Sequence, residues 1–151
     1  MRRITAALFL TVLMVGSAVA ASDELDVIRK VREFFDSFNK GELKSALEIC
    51  ATQSAIIDEF PPYVWQGATG CADWAKDFDA YATRKGITDA KVTLGRAHIE
   101  VAENRAYVVV PAQFAFKQKG KRLTESGSIL TVTLQNDVNG WRITGWAWAK
   151  R

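Results

Sequence analysis

The chain has 151 residues, 48% hydrophobic and 11% aromatic, enough for one domain around one core. Its formal charge is +3, and without Arg2 and Arg3 only 18 basic residues face 17 acidic ones. Nucleic-acid binding needs a basic surface, and that near balance argues against it. A glycine-rich phosphate loop, a nucleophile elbow and a C-x-x-C pair are all missing from the sequence.

The first 20 residues read as a secretory leader. Met1-Arg2-Arg3 is a short positive start, Ile4 to Val15 is almost wholly apolar, and Ala18-Val19-Ala20 offers an A-x-A cleavage site. The alternative is an uncleaved anchor, since Ile4 to Ala21 is about long enough to cross a bilayer. Thr5, Thr11, Gly16 and Ser17 dilute that run, and no basic stop-transfer cluster follows. The expectation is a leader over 1–20 and a single domain over 21–151, periplasmic or secreted from a bacterium.

Ser22-Asp23 offers a helix start, and Ile28, Val31, Phe35 and Phe38 then recur at helical spacing, reinforced by Leu25, Val27 and Phe34. Asn39-Lys40-Gly41 stops that helix, and a shorter one follows with Leu43, Ala46, Leu47 and Cys50 on one face. Ala55 to Phe60 reads as a short strand ended by Pro61-Pro62. Tyr63-Val64-Trp65 is a second extended segment closed by Gly67. A third helix runs from near Gly70 to Lys85-Gly86, with Cys71, Trp74, Ala75, Phe78, Tyr81 and Ala82 along its inward stripe.

Everything after Gly86 is strand-like. Val92 and Leu94 alternate with polar neighbours, Gly95 allows a bulge, and Ala97, Ile99 and Val101 resume the alternation. A long strand from Ala106 to Lys117 carries Val108, Val110, Ala112, Phe114 and Phe116 on one face. Its partner shares Leu130, Val132 and Leu134. In the last strand plain alternation separates Trp141 and Ile143 from Trp146 and Trp148. Either a bulge at Gly145 brings all four to one face, or the last two form an outer patch that another subunit covers. The basic run Lys117 to Arg122 flanks Gly120 and reads as a solvated hairpin tip.

Two stretches, Ile57 to Gly67 and Asn139 to Trp146, resemble the SnoaL-like, nuclear-transport-factor-2-like superfamily. The first matches a strand, a proline turn and a glycine ahead of the third helix; the second matches a final strand. The resemblance implies an α+β fold in which a cone-shaped, curved antiparallel sheet wraps around three N-terminal helices. It also implies a pocket at the cone's open end, often in a dimer formed through the sheet. Isomerases, cyclases, dehydratases and non-catalytic binders share that fold, so it does not choose a function.

Chemistry is sparse. His98 is the only histidine and sits opposite an apolar row, so neither a metal site nor a cofactor is expected. Cys50 and Cys71 either form a disulfide in an oxidising compartment or stay separate buried thiols. Asp58 and Tyr63 are the candidate catalytic pair: a carboxylate among aromatics gains a raised pKa, and a phenol could donate to an oxyanion. Tyr63, Trp65, Trp74, Phe78, Phe114 and Trp146 are the candidate ligand-binding rings. The leading reading is a binder of a small apolar or aromatic molecule. An isomerase or dehydratase and a dimerisation or interaction module are the alternatives. Export is checked by intact mass: periplasmic protein should begin at Ala21 or Ser22, and a full-length, membrane-embedded product would contradict it.

Overall fold

The computed structural model describes residues 16–150, with side chains from Ser22 onward. The expected leader over 1–20 lies outside them except for its last positions, which belong to helix α1 (Gly16–Lys40). The helix therefore does not start at Ser22. Ala18, Ala20 and Ala21, the small residues a peptidase would read, are also among the best helix formers. Val27, Val31, Phe34 and Phe35 form its buried stripe, whereas Leu25 is 69% exposed. Two residues before Val27 lies about 200° round the helix, on the opposite face. Among the described residues no helix is long and apolar enough to cross a membrane.

Gly41, at φ 73°, ends α1 and leads to the short α2 (Leu43–Leu47). Strand β1 (Cys50–Ile57) begins earlier than expected, so Cys50 opens a strand and does not close the face of α2; Asp58 falls just past the strand's end. β2 (Val64–Gly67) folds back on β1, and α3 (Gly70–Lys85) follows, stopped by Gly86 in the left-handed conformation. The rest is β3 (Ile87–Leu94), β4 (His98–Ala102), β5 (Arg105–Gln118), β6 (Lys121–Asp137) and β7 (Gly140–Ala149).

The strand order is β2-β1-β7-β6-β5-β3, with β4 paired to the same long β5. Gly95 lies in the gap between β3 and β4, where its N–H donates to the Pro111 carbonyl at 2.8 Å. Neighbouring strands are antiparallel except β1 and β7, which run parallel. The sheet is thus mixed, not antiparallel throughout as the resemblance implied. Parallel neighbours need a long intervening crossover, and α3 with the meander after it supplies one. Helix α1 packs against β3, β4 and β7, and α3 against β1, β2 and β3, so both helices sit on the inner side of the curved sheet.

Two contacts lock this arrangement. Cys50 and Cys71 form a disulfide with Cα atoms 6.6 Å apart, tying the start of β1 to the first turn of α3. A loop of 21 residues closed this way contributes about 3 kcal/mol in the chain-entropy model. The second contact is in β7. Thr133 faces Gly145 while Leu134 faces Ile143, so Thr144 is an extra residue and the strand changes phase there. Trp141, Ile143 and Trp146 are all buried as a result. At the bulge the Gly145 backbone meets the Ala55 carbonyl of β1 so closely that a Cβ would overlap it. Gly145→Ala should therefore cost about 3 kcal/mol or more in chemical denaturation. A loss under about 1 kcal/mol would mean that the two strands are not held this tightly.

Candidate functional site

The site is built on the first turn of α3. Ser54 on β1 is buried, and its Oγ accepts the Cys71 N–H at 3.0 Å, satisfying a donor that the helix itself leaves free. Gly70 lies so near that an added Cβ would stand 2.8 Å from Ser54 Oγ and 2.9 Å from its carbonyl oxygen. Disulfide, cap and glycine together fix the rotation of α3. Trp74, Phe78 and Tyr81 follow at helical spacing and turn into the cone.

Trp74 stacks on Phe78 with centroids 5.7 Å apart and meets Trp146 edge-on at 4.9 Å. From α1, Phe34 packs on Trp146 at 5.0 Å and Phe38 on Phe78 at 5.3 Å. Beyond β1 the chain turns tightly: the Asp58 N–H donates to the Tyr63 carbonyl at 3.1 Å, and the Tyr63 N–H to the Phe60 carbonyl at 2.9 Å. The Pro61-Pro62 peptide in this turn is cis. Phe60 points inward and stacks on Tyr81 at 5.1 Å.

Between these groups lies a cavity of about 60 Å³. A single water needs roughly 10–15 Å³ by this kind of measure, so the space holds a few waters or one small organic group. Phe35 and Phe38 of α1 form one wall and Trp74, Phe78 and Tyr81 of α3 another. The sheet contributes Val92, Phe114, Trp146 and Trp148, and the turn after β1 contributes Asp58, Glu59 and Phe60.

Asp58 is the group with chemistry. Its Oδ2 accepts the Trp74 indole N–H at 2.8 Å, and its Oδ1 accepts the Glu59 backbone N–H at 2.7 Å. Burial among the rings pushes the Asp58 carboxyl above the ordinary aspartate value, and the two hydrogen bonds pull it partway back. Glu59 beside it is also raised, first by burial and then by the nearby Glu125 carboxylate. Lys150 answers this pair from the end of the chain, 2.7 Å from Glu125 and 3.7 Å from Glu59. Among the described residues no group of three His, Cys, Asp or Glu side chains is arranged to hold a metal ion.

Of the residues singled out in the sequence, Asp58, Trp74, Phe78, Phe114 and Trp146 converge on the cavity. Tyr63 does not. It takes a positive φ of 73° at the end of the proline turn and stands 54% exposed, outside the cavity. The structure therefore does not bring Tyr63 to the cavity beside Asp58. Trp65 is buried but lies behind the cavity wall, 4.8 Å from Phe60, with its indole N–H donated to Asp77 Oδ2 at 2.8 Å. His98 is a surface group paired with Glu100 at 3.0 Å. The sequence reading missed Glu59, because strand alternation places it opposite Asp58 and only the turn brings both to the cavity. Glu125 and Lys150 carried no local signal at all.

No protein-family model matches the chain, and no curated protein does. Solved structures do match. A nuclear-transport-factor-2-like protein with a cystatin-like fold from Novosphingobium aromaticivorans superposes with a TM-score of 0.72 at 14% identity, over 93% of this chain and 91% of that one. The chain has the nuclear-transport-factor-2-like fold. A superfamily protein from Salmonella enterica serovar Typhimurium agrees, with TM-score 0.72, 15% identity and coverage of 86% and 92%. So does a candidate ketosteroid isomerase from Shewanella frigidimarina, with TM-score 0.64, 22% identity and coverage of 82% and 94%. These identities show the fold alone.

The Asp58–Trp74 bond has a measurable consequence. Trp74→Phe removes the donor that favours the charged form, so the Asp58 pKa should rise further in a carboxyl-detected NMR titration. A carboxyl raised in the folded state binds its proton more tightly there than when unfolded. Its contribution to stability is therefore present at low pH and is lost as pH rises through the raised value. An Asp58 pKa that stays put or falls in Trp74→Phe would show that the indole does not hold the carboxylate.

Proposed function

We propose that this is an exported binding protein whose cone takes a small ligand with an apolar or aromatic body. The observation that carries the reading is a cavity walled by aromatic rings and lined at one end by carboxyl groups, Asp58 foremost. Binding pockets combine an apolar wall with a few placed polar groups, and this cavity has that make-up on a small scale. Export is supported by the leader pattern over 1–20 and by the Cys50–Cys71 disulfide, a bond that persists in oxidising compartments.

A proton-transfer enzyme is the second reading, favoured by the raised pKa of Asp58. The phenol that the sequence offers as partner of the carboxylate, Tyr63, is exposed and outside the cavity. Neighbours in fold described as a candidate dehydratase and a candidate ketosteroid isomerase lend it analogy only.

Trp74, Trp146 and Trp148 all line the cavity, so intrinsic fluorescence reports occupancy. A panel of small aromatic fragments should include members that change the emission saturably at one site. Val92→Phe, which fills the space, should weaken them roughly tenfold or more. Saturable binding that survives Val92→Phe unchanged would move the site elsewhere. No saturable response from any fragment would sink the reading.

A further inference from the structure

The electrostatics of the cavity are one-sided. None of the residues lining it is Lys, Arg or His. Asp58 is held there by two neutral donors, the Trp74 indole and the Glu59 amide, so no cation compensates its charge from within. Glu59 adds a second carboxyl at the same end. Lys150 is engaged outside the cavity by Glu125 at 2.7 Å and Glu59 at 3.7 Å. Three carboxyl groups, Asp58, Glu59 and Glu125, thus gather at this end of the cone with Lys150 beside them. Aromatic walls are compatible with a cation, because the face of a Trp, Tyr or Phe ring attracts one through its quadrupole.

The geometry points to a compact organic ammonium ion, with its nitrogen fully alkylated, as the ligand of this cavity. This inference rests on the small-ligand reading above and narrows it. Alkylation follows from hydrogen bonding. A primary ammonium brings three N–H donors that each need an acceptor. Here the acceptors, the Asp58 and Glu59 carboxyls, sit at one end and most of the remaining wall is hydrocarbon, so an N–H turned toward the rings goes unpaired. A quaternary ammonium brings no donors, sheds its water more readily, and presents methyl groups to the rings. Its charge is met by the Asp58 carboxylate, which lacks any other cation inside the cavity.

The test compares choline with 3,3-dimethylbutan-1-ol, which has the same shape with carbon in place of the charged nitrogen. Calorimetry on the folded protein should give choline roughly tenfold tighter binding or better. Asp58→Asn should remove most of that preference while leaving the alcohol's affinity unchanged. Glu59→Gln should weaken it less, and near-UV circular dichroism should confirm that both variants are folded. Equal affinities, or a tighter alcohol, would overturn the ammonium inference and leave the pocket standing. A preference for choline that persists in both variants would overturn it too, since the charge would then be read elsewhere. Failure of both probes to bind also overturns it, and fragment binding sensitive to Val92→Phe then shows whether the small-ligand reading survives.

Discussion

The close approach of Gly145 to the Ala55 carbonyl governs the arrangement of the interior. Without a side chain at 145, β7 can run parallel and tight against β1 while taking an extra residue at Thr144. The phase change carries Trp146 to the inner face, where it wedges between Phe34 of α1 and Trp74 of α3. Trp74 in turn reaches Asp58. One missing methyl group thus connects the last strand, both long helices and the carboxylate.

A second chain of constraints comes from the first turn of α3. The disulfide and the Ser54 hydroxyl fix the helix start, so the angle at which Trp74 and Phe78 enter the cone is set by covalent and hydrogen-bonded contacts to β1. β1 is also the strand that delivers Asp58. Donor and acceptor of the Asp58–Trp74 bond therefore hang from the same two joined elements. That is how a carboxylate stays aligned in surroundings that oppose its charge. Loosening either contact should affect the site before it affects the sheet, whose longest pairing, β5 with β6, is made elsewhere.

Periodicity made most of the architecture legible. The stripe from Val27 to Phe38, the bounds of α3 and the inward rows of β5 and β6 all follow from apolar spacing. A bulge at Gly145 is one of two readings open in the sequence, and the register shift in β7 decides for it. The errors fall where local rules yield to turns and to long-range pairing. Tyr63 reads as a pocket residue in an extended segment, but it takes a positive φ in the turn and stands exposed. Glu59 comes inward by the same turn. The parallel β1–β7 pair and the Lys150–Glu125 contact join residues far apart in the chain, where no window of sequence carries a signal.

The central claim is that ligand enters the space bounded by Trp74, Trp146 and Trp148, beside the carboxylate that Trp74 holds. Five indole N–H groups allow this to be read directly in a two-dimensional proton–nitrogen spectrum. Trp141 is buried without a hydrogen-bond partner and does not line the cavity, so it serves as an internal control. On titration with a bound fragment, the resonances of Trp74, Trp146 and Trp148 should move together and Trp141 should stay nearly still. Movement of Trp141 or of outer-face backbone amides, with the Trp74 indole unshifted, would contradict the account.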